Sequence, residues 1–329
     1  MGIDSSTRAV RQRKAQQATI GEATEFLRSR NSTCPIAVLA LFLLIGSAWA
    51  QPTREVAVRE GYTTTSAGLR IHYLESGQSA STHALVLIPG WRLPAFLWNE
   101  QLVRFSSTIR VIAIDPRSQG ASTKTSDGNT PESRARDLHD ILKILGVSHA
   151  VLVGWSQGAQ DVAAYVQQFG TASVDGVVFV DSPVSSGPAE IEIHRAFSQG
   201  ILSGISMYAS HPEEYSEGMV RSLFKKRHPN LDVQRIVRHT LQTPVATGIA
   251  MLVADIFGAD RRSALTRIDK PTLVVGSSES PLIEVQKEMA ATIPGSKFVL
   301  VEGSGHALFI DEPEKFDEAL RAFLESLTR

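Results

Sequence analysis

The chain has 329 residues, 43% of them apolar and 20% charged, with a formal net charge of −1. This is ordinary globular composition, enough for one large domain or two small ones. With no basic excess to neutralise phosphates, it argues against a nucleic-acid partner or a membrane-surface binder.

Residues 1–34 are polar, with six Lys/Arg against three Asp/Glu, and eleven apolar or small residues follow at 36–46. Ser47-Ala48-Trp49-Ala50 then supplies an A-x-A pattern. The order of basic region, apolar core and small-residue site predicts a secretory signal peptide cut after Ala50, and hence a periplasmic or secreted protein. The alternative is an uncleaved membrane anchor, although eleven residues are short for a spanning helix. No paired arginines in this region suggest a twin-arginine route. Cys34, the only cysteine, precedes the cut, so the mature chain would carry no disulfide or thiol chemistry.

From residue 51 onwards a single domain is expected. Segments 55–59 and 69–73 alternate apolar and polar residues and are joined by Thr65-Ser66-Ala67-Gly68, which predicts a hairpin. Six continuous apolar runs follow, at 84–88, 111–114, 150–153, 177–180, 272–275 and 298–301. Such runs suit parallel strands covered on both faces. Helical patterns fall between them at 94–106, 132–145, 157–169, 282–292 and 312–327. The fold class is therefore α/β: a doubly wound, mostly parallel sheet of about eight strands, its first pair antiparallel. Between Asp181 and Lys270 no strand is predicted. Helical patterns at 193–202, 212–226, 231–240 and 248–257 read instead as a cap, about 183–268, over the carboxyl ends of the strands, where open α/β sheets bind ligands.

The strand at 150–153 runs into Gly154-Trp155-Ser156-Gln157-Gly158, and the next helix starts near Gln157. A serine on such a strand-to-helix turn is a candidate nucleophile, and its crowded neighbours two before and two after need to be small. Serine is weak until a base takes its proton. Of nine histidines, eight (His72, His83, His139, His149, His194, His211, His228, His239) have ordinary surroundings. His306 alone sits in a glycine-flanked loop, Gly303-Ser304-Gly305-His306, after the last strand. A carboxylate is then required to hold the imidazole tautomer. Glu279, in the loop after the penultimate strand, is the preferred candidate, with Asp181, after the strand at 177–180, as the alternative. Asp115, after the strand at 111–114, reads as a structural pin for the loop 116–120.

Taken together, Pro89-Gly90-Trp91, the loop Asp115-Pro116-Arg117-Ser118-Gln119-Gly120, the turn around Ser156, Gly276 to Glu279 and Gly305-His306 resemble the α/β-hydrolase superfamily from about Arg54 to the C-terminus. The helical cap and the Gly305-His306-Ala307-Leu308-Phe309 ending look most like its small esterases and cofactor-free haloperoxidase-like enzymes. The resemblance implies an oxyanion hole from the backbone N–H groups of Trp91 and Gln157. It further implies two-step acyl transfer on a small-molecule ester, with no organic cofactor and no metal. The chain departs from the usual pattern at Pro89, where relatives carry His, and at Glu279, where they carry Asp. Ser156 separates it from epoxide hydrolases and haloalkane dehalogenases, which need Asp there. The same residues would serve a perhydrolase, lyase, amidase or carbon–carbon bond hydrolase; a more remote alternative is a non-catalytic binding protein. Trp91 and Trp155 are expected to flank the site and to favour an apolar acyl group. Cap residues Ile201, Ile205, Met207, Met219, Leu223 and Met251 are expected to pack the cap onto the core.

Overall fold

The computed structural model describes residues 57–185 and 195–328. The predicted signal peptide, its cleavage site and Cys34 lie outside these residues, as do residues 186–194 of the expected cap, His194 among them. Eight strands form one sheet: β1 (Arg59–Thr64), β2 (Arg70–Ser76), β3 (His83–Ile88), β4 (Arg110–Ile114), β5 (His149–Trp155), β6 (Val174–Val180), β7 (Thr272–Ser277) and β8 (Lys297–Val301). Their order is β1-β2-β4-β3-β5-β6-β7-β8. β2 pairs antiparallel with both β1 and β4, and every other pairing is parallel. The first strand starts at Arg59, later than its apolar alternation suggested, and the hairpin closes through Thr65 N–H to Leu69 O at 2.9 Å.

The continuous apolar runs have the physical cause expected of them. Along β3, Ala84, Val86 and Ile88 join one core cluster while Leu85 and Leu87 join the other. β4, β5 and β6 divide in the same alternating way. One layer is filled by α2 (Pro131–Ile144), α3 (Gln157–Phe169) and α8 (Ile283–Thr292); the other by α1 (Asn99–Phe105) and α10 (Pro313–Ser326), with the one-turn α9 (Leu308–Asp311) between β8 and α10. Each fully buried Val, Leu or Phe in these layers stabilises the fold by about 1.5–3 kcal/mol. β8 is the exception: as an edge strand it leaves Phe298 and Val299 half-buried and Leu300 exposed. Helix starts follow local chemistry. Thr130 caps α2 by accepting Ser133 N–H at 3.3 Å, and Pro131 occupies the first turn, where a missing N–H costs nothing.

Between β6 and β7 lie α4 (Arg195–Ser210), α5 (Pro212–Ser222), α6 (Val233–Thr240) and α7 (Val245–Phe257), then a 3₁₀ turn at Arg262–Arg267. They form the helical cap. Met251 is fully buried, as a packing role requires, but Met207 is exposed and Ile205 only half-buried. Among the described residues, no single helix is long and apolar enough to cross a membrane.

Candidate active site

Ser156 stands between β5 and α3 with φ 56° and ψ −122°, a conformation L-residues rarely adopt. Two glycines make it possible. A Cβ on Gly154 would lie 2.3 Å from the Gly158 carbonyl oxygen, and one on Gly158 would lie 2.5 Å from the Ile88 oxygen. The turn is anchored by Ser156 N–H to Val180 O at 3.1 Å. It projects the serine into a cavity of about 450 Å³ whose walls include Trp91, Gln157, Asp181, Glu279 and His306. The candidate nucleophile, base, both candidate acids and both candidate N–H donors thus meet at one cavity, at the carboxyl end of the sheet.

Their pairing differs from expectation in one respect. His306 Nδ1 lies 2.7 Å from Asp181 Oδ2, and the Asp181 side chain is only 2% exposed. Its other oxygen accepts from Ser277 N–H at 3.0 Å and Gln286 Nε2 at 3.1 Å. Glu279, the preferred candidate, does not reach the imidazole. Its side chain is 54% exposed and forms an ion pair with Lys225 of the cap at the cavity rim. The reason is local geometry. Asp181 directly follows β6, takes φ 46° and is tied by its N–H to Val275 O at 2.8 Å, so its short side chain is aimed across the strand ends. Glu279 lies beyond Ser277, in the loop after β7, with its backbone N–H bonded to the Ser277 hydroxyl at 3.2 Å.

The loop carrying His306 is held on two sides. Trp155 donates its indole N–H to the His306 carbonyl at 2.9 Å. That indole is fully buried, edge-on to Phe309, and does not line the cavity, contrary to the expectation that it would flank the site and favour an apolar acyl group. On the other side, buried Asp311 accepts from Gly305 N–H at 2.7 Å and from the backbone N–H of Lys225 at 2.8 Å and of Lys226 at 3.2 Å. His228 Nε2 is 2.6 Å from the same carboxylate. Asp311 therefore ties the histidine loop to the cap.

Trp91 and Gln157 line the cavity beside Ser156. Gln157 opens α3, where the first N–H groups have no intrahelical partner. Trp91 sits in a turn closed by Leu93 N–H to Gly90 O at 3.1 Å, and a Cβ on Gly90 would come within 2.9 Å of the Ser156 Cβ. No side chain but glycine's lets the two loops approach so closely. Pro89, in place of the usual histidine, leaves this turn intact.

The structure adds residues that the sequence reading missed. Arg92 is fully buried with φ 59°. Its guanidinium lies 4.1 Å from the ring centres of Trp91 and Tyr208 and donates to Ser216 Oγ at 3.1 Å. Burial lowers its pKa from the usual arginine range. Together with the Trp91 Nε1–H bond to Gly248 O at 2.9 Å, it joins this loop to the cap. Beneath Gln157 lies a buried polar network. Gln157 donates its side-chain amide to Asp255 of α7, and Arg134 of α2 bonds Asp255 and Asp161 at 2.8 Å each. Burial, with Asp255 nearby, pushes the Asp161 carboxyl up to about 7 despite Arg134. A signal existed in the sequence: Asp161 is the one charged residue of α3, and a buried charge needs a partner. Asp115 is the structural pin expected, accepting Ala95 N–H at 2.6 Å and Ala121 N–H at 2.8 Å.

Comparison with known proteins agrees with this architecture. The family model described as "alpha/beta hydrolase fold" matches residues 83–313. The chain is 29% identical over 276 residues to a non-heme chloroperoxidase, CPO-A1, of Kitasatospora aureofaciens, covering 79% of this chain and 98% of that protein. It is 26% identical to the bifunctional esterase/perhydrolase DCH of Acinetobacter calcoaceticus, covering 81% of this chain and all of that one. Among solved structures, the esterase EaEST of Exiguobacterium antarcticum superposes with a TM-score of 0.72 at 21% identity, covering 80% of this chain and 98% of that one.

Proposed function

Since the chain belongs to the alpha/beta-hydrolase fold family, we propose that it is a serine hydrolase cleaving a small carboxylic ester, with Ser156 as nucleophile, His306 as base and Asp181 as the acid. The observation that carries this reading is the 2.7 Å contact between His306 Nδ1 and a buried Asp181, at the cavity into which Ser156 projects. Ser156 Oγ attacks the ester carbonyl carbon as its proton passes to His306 Nε2. Asp181 keeps the proton on Nδ1 and stabilises the imidazolium. The N–H groups of Trp91 and Gln157 take the oxyanion, each worth roughly 3–4 kcal/mol. His306 then protonates the departing alkoxide, and the acyl group remains on Ser156. A water molecule loses its proton to His306, adds to the acyl carbon and releases the acid, and the proton returns to Ser156. Leu93, Ile201, Met219, Leu252 and Ile256 make much of the cavity wall apolar, which suits an alkyl-bearing ester.

A second reading shares the acyl-enzyme but discharges it with hydrogen peroxide to give a peracid. It draws support from the relatives named as perhydrolase and chloroperoxidase. Hydrolysis of p-nitrophenyl acetate by purified protein tests the main reading. Ser156→Ala is expected to fall by roughly 10⁶-fold, to background; parental activity in that variant would overturn the nucleophile. Peracid formation when peroxide is added to the same assay separates the second reading from the first.

A further inference from the structure

At the opposite end of the sheet, three side chains unrelated to this chemistry converge. His83 opens β3 and His149 opens β5, and the two residues are direct partners in the parallel register. Their rings stack with centres 4.2 Å apart and 7° between planes. Asp175 of β6 completes the group: its Oδ1 is 3.0 Å from His149 Nδ1, and its Oδ2 is 3.9 Å from His83 Nε2. One donor atom from each of the three lies within 4.8 Å of the others.

Asp175 is there because the sheet is irregular at that point. Ala150 pairs with Val174, but Val151 pairs with Gly176, so Asp175 is the extra residue of a β-bulge. Bulges re-aim a side chain, and this one brings a carboxylate to the paired imidazoles. His83 is oriented as well, with its Nδ1 3.4 Å from the Thr82 hydroxyl and its Nε2 left towards Asp175. Such an outer contact on the second ring nitrogen is what fixes a ligating histidine.

We propose that His83, His149 and Asp175 form a binding site for a borderline divalent transition ion of the Zn²⁺ class. Two imidazoles and a carboxylate are ligands for Zn²⁺, Ni²⁺ or Cu²⁺ rather than for Mg²⁺ or Ca²⁺. Metal–ligand distances near 2.0–2.2 Å place donors about 3–4 Å apart, so donors that now lie within 4.8 Å of one another close by up to about 1–2 Å as the side chains turn. All three side chains are at least a third exposed, which gives them room to turn and leaves coordination positions for water. The ion would cross-link the starts of β3, β5 and β6, about 20 Å along β5 from Ser156. The site is structural and does not touch the ester chemistry.

Equilibrium dialysis of the purified full chain, without a histidine tag, against Zn²⁺ tests this directly. One saturable Zn²⁺ per chain is expected. His83→Ala, His149→Ala and Asp175→Asn should each weaken it at least tenfold. A melting temperature that Zn²⁺ raises in the parent should stay unmoved in all three variants. Full affinity in any one of them, or no saturable binding by the parent, overturns the site.

Discussion

At the scale of single residues, the decisive comparison is between two carboxylates that border one cavity. Asp181 is buried, accepts two further hydrogen bonds and meets His306 at 2.7 Å; Glu279 is half in solvent and paired with a lysine. An amide in place of Asp181 would favour the wrong imidazole tautomer. On the proposed mechanism, Asp181→Asn should therefore lower kcat for p-nitrophenyl acetate by about 10⁴-fold, as loss of the carboxylate does in Ser-His-Asp triads. Glu279→Gln should stay within a few-fold of the parent, because an exposed ion pair contributes about 1 kcal/mol or less. The reverse order of losses would return the role to Glu279. Both residues follow parallel strands, and both loops open on the same end, which is why sequence position alone did not separate them.

At the scale of elements, the cap is held to the sheet domain by buried polar contacts as well as by apolar packing. Arg134 joins α2, α3 and α7 through Asp161 and Asp255, and Asp255 in turn holds the side chain of Gln157 beside Ser156. Removing the cation would leave two buried carboxyl groups without their shared partner. Arg134→Ala is expected to destabilise by about 3–5 kcal/mol in urea unfolding, the usual cost of breaking a buried ion pair from one side. A loss below about 1 kcal/mol would mean that water reaches the network and the clamp is weaker than its burial implies. The cap helices themselves were legible from apolar periodicity and from Gly, Pro and His-Pro punctuation. Their attachment was not, since Arg134 and Asp255 lie far apart in the chain and neither carries a local signal of its partner.

At the scale of the whole molecule, the same network couples stability to pH. In the unfolded chain Asp161 titrates near 3.9, whereas in the fold burial pushes it up to about 7. Between those values the folded state keeps a proton that the unfolded state has released. The stability this group contributes is therefore fully present below about pH 4 and is lost as pH rises through about 7. Urea unfolding at steps from pH 5 to 8 should show this fall, amounting to at most a few kcal/mol. Asp161→Asn, which cannot titrate, should flatten it, and identical slopes in the two proteins would show that Asp161 is ionised throughout.

The sequence by itself determined the layered α/β fold, because runs such as 84–88 and 111–114 are apolar on both faces and only a sheet covered by helices on each side buries them. It also singled out Ser156 and His306 as candidates, because a strand-to-helix turn flanked by glycines and a glycine-bounded histidine after the last strand leave local marks. Tertiary structure alone decided which acid faces His306, that Trp155 supports the histidine loop rather than lining the cavity, and that His83, His149 and Asp175 meet. The first two depend on where separate strands end relative to one another, and the third on a single bulge in β6. Strand ends and registers are set by packing across the sheet, whereas periodicity and turn chemistry are written within a few neighbouring residues.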